Sequence, residues 1–376
     1  MKKKLLFVIP EYSIGGTNTS LKNLLSFIDK NKYEISIYSL YEDGTDFFKN
    51  EFHPYIIKKS LLYHLAHDNK LTRKVMGLLM KLSSKVNFNW LYRYEANRIQ
   101  RESEFDSVIA YQEGAASEFV SAIIMPVRKL SWMHGCYNEG VGRSSFFHDK
   151  QMYSKFDTIV CVSKASKESF LKVFPEFLNR CTFVYNLLDA EYILQKSQEP
   201  QAVSFDRECF NIVSVGRFCK MKNFGHIPHW AAGIKKRTSK PFCWYVIGDG
   251  DDFIHTMRDI EKYRVGNCVK LLGSKDNPYP YLSNADLHVC SSDFESFSYT
   301  IAESKLLHTP VLCNDFAVAN EVVDANNGII ENKSSFVETI SKLIDDCDGI
   351  YSSLKRNISD YKYRTDDIVA NLEKIL

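Results

Sequence analysis

The chain has no paired cysteines. Its ten cysteines are scattered singly, with no CxxC pair and no His/Cys cluster at zinc-binding spacing. That excludes a disulfide framework and a zinc scaffold, and implies reduced thiols in a cytosol-like compartment. It also lacks a long apolar run. The opening "MKKKLLFVIPEYSIGG" imitates a secretion signal, but its apolar stretch ends at Pro10 and Glu11 with no small-residue cleavage site. It reads as a first buried strand, and nothing later nears the span of a bilayer. An excess of either charge is missing too. Lys and Arg total 48 against 46 Asp and Glu, a net charge of +2, so no global field draws the protein onto nucleic acid. There is no low-complexity segment. What remains, 45% hydrophobic and 25% charged residues, is the mix of a soluble globular protein, expected in the cytoplasm.

A chain of 376 residues is too long for one ordinary core, so two domains are expected. The pattern supports two series of strands. "KKLLFVIP", "YEISIYSLY", "FDSVIAYQ", "VRKLSWMHG" and "FDTIVCVSK" are short apolar runs separated by helical periodicity. Strand-helix-strand alternation implies a doubly wound α/β domain with a parallel sheet. The alternation stops in the polar stretch 190–209, where the linker is expected. A second series follows: "FNIVSVGRF", "FCWYVIGDG", "CVKLLGS", "ADLHVCSS", "TPVLCND" and "NGIIEN". The expected boundaries are 1–195, 205–355, and a C-terminal helix over 356–376 that packs back on the first domain. Residues 68–104 interrupt the first domain with a basic, leucine-bearing segment. Two readings stand: a helix pair packed on the sheet, or an interfacial helix lying on anionic lipid.

In facing doubly wound domains, ligands bind beyond the carboxyl ends of the strands, so the loops after strands matter most. Gly15 and Gly16 would let a phosphate or sugar approach the backbone beside a helix N-terminus. They do not form GxGxxG, which argues against a dinucleotide site. In "SVGRFCKMKNF", Gly216 permits close approach, and Arg217 and Lys222 are two cations that could converge on a diphosphate or lie in a polar surface loop. His134 ends a strand beside Gly135, either as a satisfied structural group or as a donor to a reacting sugar. "VIGDGDD" reads as a Gly-rich acidic turn rather than a metal-binding Asp-x-Asp. In "DFESFSYTIAES", Glu295 and Glu303 would be about 12 Å and roughly 80° apart on an ideal helix, too divergent to grip one atom. Glu303 could also close a capping box with Thr300.

Taken together, "GG" at 15–16, "MHG" at 133–135, "VSKAS" at 162–166, "YNLLD" at 185–189, "VGRFCKMKN" at 215–223, "VIGDGDD" at 246–252 and "NPYPYLSNADLHVCSSDFESFSYTIAES" at 277–304 resemble a family 4 glycosyltransferase. The resemblance spans nearly the whole chain. It implies the GT-B fold: two doubly wound Rossmann-like domains facing across a cleft. "YQEGAAS" and "SWMHG" look most like bacterial enzymes that build capsule or lipopolysaccharide. The resemblance implies that Glu295 lies in the loop where main-chain N–H groups, over Ser296, Phe297 and Ser298, meet the donor sugar. Glu303 would accept from ribose hydroxyls, Arg217 and Lys222 would neutralise the diphosphate, and Gly16 would approach phosphate. His134 would stand near the reacting centre. The implied activity is retaining hexosyl transfer without a metal or other cofactor, from a nucleotide sugar, UDP-linked in preference to GDP-linked, to a glycan or lipid-linked acceptor. A peripheral contact with anionic membrane would run through 68–104. An epimerase of the same fold and a non-catalytic nucleotide-sugar-binding module are the alternatives. Two departures stand out: Ser296 replaces the usual glycine, and "HTP" at 308–310 replaces Gly-Lys-Pro.

Overall fold

Short apolar runs form the central strands of two parallel sheets. The computed structural model describes residues 1–12, 15–40, 56–58, 89–137 and 146–376. The chain divides into unit 1, residues 1–187 with 365–376, and unit 2, residues 188–364.

Unit 1 holds β1 (Lys3–Ile9), β2 (Tyr33–Ser39), β3 (Ile56–Lys58), β4 (Ser107–Ala110), β5 (Arg128–Met133), β6 (Thr158–Cys161) and β7 (Cys181–Phe183). They run in the order β3-β2-β1-β4-β5-β6-β7. All the pairings are parallel, with Leu5 opposite both Ile35 and Ser107. β1 and β4 are buried along almost their whole length because helices cover a doubly wound sheet on both faces. Those helices include α1 (Gly16–Phe27), α2 (Asn89–Ser103), α3 (Ala115–Ser121), α4 (Phe146–Tyr153) and α5 (Lys164–Val173).

Unit 2 repeats the plan with β8 (Phe210–Val215), β9 (Phe242–Ile247), β10 (Val269–Gly273), β11 (Leu287–Cys290), β12 (Val311–Asn314) and β13 (Gly328–Glu331). Its order is β10-β9-β8-β11-β12-β13. Its helices are α6 (Ala190–Ser197), α7 (Ile227–Ile234), α8 (Phe253–Lys262), α9 (Tyr279–Asn284), α10 (Tyr299–Leu306), α11 (Ala319–Val322), α12 (Phe336–Asp345) and α13 (Ile350–Asn357). A last helix, α14 (Thr365–Ile375), belongs to unit 1. There Lys32 Nζ donates to Glu373 Oε1 at 3.0 Å, and Arg128 Nη1 donates to the Leu376 carbonyl at 3.2 Å.

Several expectations need correction. The polar stretch placed as a linker begins with helix α6, capped by Asp189, whose side chain accepts from the Tyr192 N–H at 3.0 Å. The division falls earlier, after Leu187. A helix running unbroken to the end is interrupted at 361–364, and only Thr365 onward joins unit 1. The strands β3 and β7 were not foreseen, because three residues carry too little pattern to register. Of the basic segment 68–104, residues 68–88 lie outside the described residues. Residues 89–103 form α2, which buries Ala96 and Ile99 in the core and pairs buried Glu95 with Arg98 at 2.8 Å. For α2 the packed-helix reading holds. Among the described residues, no helix is long and apolar enough to cross a membrane. No disulfide joins the ten cysteines.

Candidate active site

The chemistry of unit 2 is organised by two interlocked turns. β8 leaves the sheet through Gly216-Arg217-Phe218, and β9 through Gly248-Asp249-Gly250. Gly216 N–H donates to the Ile247 carbonyl at 3.0 Å, and Phe218 N–H to the Asp249 carbonyl at 2.9 Å. The backbones are so close that a Cβ on Gly248, at φ +140°, would sit 1.8 Å from the Gly216 oxygen. Only glycine fits there. The Phe218 ring is fully buried, edge-on to Phe224 and Phe253 at 5.0 Å each. Arg217 is therefore held between two anchored residues and stands exposed. Among the described residues it has no ion-pair partner. The acidic "VIGDGDD" segment is a turn: Asp249 Oδ1 accepts from Gly250 N–H at 2.7 Å. Among the described residues, no group of three or more His, Cys, Asp or Glu gathers to hold a metal ion.

Past Phe218, a 3-10 turn (Lys220–Lys222) ends at Asn223, whose φ of +59° reverses the chain. Three hydrogen bonds lash this turn to the loop after β11. Ser291 Oγ donates to the Lys222 carbonyl at 2.6 Å, Asn223 Nδ2 to the Ser291 carbonyl at 3.0 Å, and Asp293 N–H to the Met221 carbonyl at 2.8 Å. The result is that Lys222 Nζ meets Glu295 Oε1 at 2.5 Å, across 73 residues of sequence. Ser292 Oγ donates to the same carboxylate oxygen at 2.7 Å. Burial alone would depress the Lys222 ammonium, but Glu295 and the neighbouring Cys290 outweigh it and raise its pKa. Lys222 is thus a fixed cation.

Glu295 lies in a loop, so helical spacing does not relate it to Glu303. The loop continues through half-buried Ser296. Phe297 is buried with its ring edge-on to Tyr299 at 5.3 Å, so it offers a ligand only its main chain. Ser298 adopts φ +64° at the N-cap of α10, with its Oγ 3.9 Å from Cys290 Sγ. No side chain caps this helix and its first turn carries no acid, which leaves its N-terminal N–H groups for an anion. The capping-box reading of Thr300 and Glu303 is therefore overturned. Glu303 points elsewhere. It is 7% exposed, accepts from the Tyr279 hydroxyl at 3.3 Å, and burial lifts its pKa to about 7. Past the helix, His308 takes φ +57°, a left-handed conformation that favours glycine.

In unit 1, β5 delivers His134 to the carboxyl edge of the sheet. Its main-chain N–H donates to Glu113 Oε2 at 2.9 Å, and its ring lies 4.9 Å from that of Tyr111. Burial drives the imidazole pKa down to about 3, so it is uncharged, and among the described residues its buried Nε2 has no hydrogen-bond partner. Tyr111 is fixed in turn by Ser20 Oγ at 2.9 Å. Gly15 and Gly16 begin α1, and a Cβ built on either meets nothing within 4 Å. Among the described residues nothing crowds them, as a close-approach site requires. Two participants went unnoticed in the sequence. Glu113 holds the His134 turn and Tyr279 holds Glu303, and no local spacing signals either contact.

Two doubly wound, Rossmann-like units are the architecture of the GT-B fold. Residues 195–364 match the model of the family described as glycosyl transferases group 1. Over 200 residues the chain is 28% identical to a Campylobacter jejuni N-acetylgalactosamine-N,N'-diacetylbacillosaminyl-diphospho-undecaprenol 4-alpha-N-acetylgalactosaminyltransferase, covering 52% of this chain and 53% of that protein. It is 25% identical to an uncharacterised glycosyltransferase of Methanocaldococcus jannaschii, covering 63% of this chain and 64% of the relative. The chain thus spans between half and two thirds of the length of these two relatives. Anabaena HepE, solved with UDP, superimposes with a TM-score of 0.73 at 15% identity, covering 100% of this chain and 99% of HepE. That likeness is one of fold. The matches support a glycosyltransferase of the GT-B fold.

Proposed function

We propose that the chain is a retaining, metal-independent glycosyltransferase. It moves a hexose or N-acetylhexosamine from a nucleotide sugar, UDP-linked rather than GDP-linked, to a glycan or lipid-linked acceptor in bacterial surface-polysaccharide synthesis. The observation that carries this reading is the Lys222–Glu295 pair beside exposed Arg217 at the carboxyl edge of the unit 2 sheet. A departing nucleoside diphosphate gains negative charge as the glycosidic bond breaks. The guanidinium of Arg217, the ammonium of Lys222 and the N-terminus of α10 stabilise that charge without a metal. Glu295 keeps Lys222 charged and placed. Glu303 accepts from the ribose hydroxyls, and the uncharged His134 offers its ring to the sugar. The acceptor attacks the front face of the sugar, assisted by the leaving phosphate.

The relative from Campylobacter jejuni supports this reading, since its name specifies alpha transfer to a diphospho-undecaprenol-linked sugar. HepE, solved with UDP, favours that nucleotide. A cytoplasmic site of action, at the inner face of the membrane, suits such an acceptor. Flotation with anionic liposomes tests the contact, and no association at low salt removes it. A thermal-shift screen of UDP, GDP and their sugars identifies the donor, because a ligand that binds only folded protein raises the melting point. With that donor, Arg217→Ala and Lys222→Ala should each abolish most transfer while a metal chelator changes nothing. Wild-type rates in both variants would overturn the diphosphate role, and donor conversion without any acceptor would mark an epimerase.

A further inference from the structure

Glu303 is a buried carboxylate that, among the described residues, accepts from one side chain, the Tyr279 hydroxyl. Tyr279 opens α9 and is braced from α6. Asn277 Nδ2 donates to the Lys196 carbonyl at 2.9 Å and to Glu199 Oε2 at 2.8 Å, while its Oδ1 accepts from Tyr279 N–H at 3.2 Å. The Tyr192 ring of α6 stands edge-on to that of Tyr279 at 6.4 Å. Two neighbouring strands, β11 and β12, pack against α10. Their titratable groups are His288, Cys290 and Cys313, all uncharged at neutral pH: burial lowers the imidazole to about 3 and raises both thiols. Lys305, on the same helix as Glu303, donates to the Val322 carbonyl at 2.5 Å and lies 4.4 Å from the Tyr361 ring centroid. It is committed elsewhere. The Lys222–Glu295 pair is closed on itself.

We propose that Tyr279 is a positioning residue for nucleotide binding: braced by α6, its hydroxyl fixes the Glu303 carboxylate to receive the hydroxyls of a ribose. This rests on the reading of Glu303 given above and extends it to a residue that does not touch the ligand. A phenol that donates to a carboxylate favours its ionised form, while burial opposes ionisation. Tyr279 stays a donor throughout, since burial and Glu303 push its own pKa far above the ordinary phenol value. An ionised carboxylate accepts from ribose hydroxyls more strongly than a protonated one, so Tyr279 sets both the direction of the carboxylate and the pH at which it binds best.

The test is calorimetric binding of UDP, with GDP in parallel, to the full chain between pH 6 and pH 9. Wild type, Tyr279→Phe and Glu303→Gln are compared. The Glu303→Gln profile carries only the titration of the nucleotide itself. Wild type should gain affinity over that baseline as pH rises through about 7. Tyr279→Phe should bind about three- to fivefold more weakly than wild type between pH 6 and 7, and the gap should narrow by pH 9 to the smaller loss that misdirection of the carboxylate alone causes. A Tyr279→Phe profile that superimposes on wild type, or lies below it equally at every pH, overturns the positioning role. Wild type that binds neither nucleotide, or follows the Glu303→Gln baseline throughout, instead strikes the nucleotide reading of Glu303 itself.

Discussion

The two sheets share a strand order, with a seventh strand, β7, added to the first, yet their carboxyl edges carry different chemistry. Unit 2 gathers ions: exposed Arg217, the Lys222–Glu295 pair and the uncapped start of α10. Unit 1 gathers groups whose charged forms burial disfavours. Burial keeps His134 uncharged, raises the Tyr111 phenol, and pushes the Glu113 carboxyl up against the main-chain N–H groups that hold it. One scaffold therefore presents two different surfaces, decided by a few side chains at strand ends. An ionic edge suits an anionic donor. A neutral edge suits hydroxyl-bearing ligands, which need directed hydrogen bonds more than charge.

The largest effect should come from removing the cations. Lys222→Ala should cost about a hundred- to a thousandfold in transfer rate. It should also lower stability by about 1–3 kcal/mol, because Glu295 is left unpaired in a half-buried site. Arg217→Ala should cost similar activity with no change in urea midpoint, since Arg217 is exposed. Equal stability losses would erase that distinction. Next is Gly248→Ala, whose Cβ has no room beside the Gly216 oxygen. It should destabilise unit 2 by about 3 kcal/mol or more in urea unfolding.

Glu303→Gln should separate stability from function. The Glu303 pKa is raised on folding from 4.5 to about 7. Its protonated form is favoured by the folded state, so its penalty is absent below the unfolded value, grows between the two, and is full above pH 7. Urea unfolding should show the variant gaining about 2–3 kcal/mol at pH 8 and little at pH 4, while UDP affinity falls. A gain that did not depend on pH would contradict the buried-carboxylate account. The smallest effect belongs to unit 1. His134→Ala should slow transfer about ten- to a hundredfold and leave UDP affinity in calorimetry unchanged. A matching loss of UDP affinity would break the division between an ionic and a neutral edge.

Much of the fold was legible. Runs such as "KKLLFVIP" and "FCWYVIG" are buried on both faces, and their composition alone marks them as central strands. The short edge strands β3 and β7 were not legible, nor was the start of unit 2, because α6 is polar enough to pass for a linker. Within the candidate site, Arg217, Lys222, Glu295 and Glu303 could be singled out as residue types in strand-end loops. Their partners could not. Lys222 with Glu295, Tyr279 with Glu303, and Glu113 with the His134 turn are contacts made by loops that converge only after the sheets form.

The sequence by itself determined the alternation of buried strands and helices, and so the two parallel sheets with reactive residues at their carboxyl ends. This follows because burial pattern and turn chemistry are local properties of the chain. Only the tertiary structure decided which of those residues are charged. Charge state depends on desolvation and on partners brought from distant loops: Glu295 keeps Lys222 a cation, burial neutralises His134, and Glu303 sits between the two states, held by the Tyr279 hydroxyl.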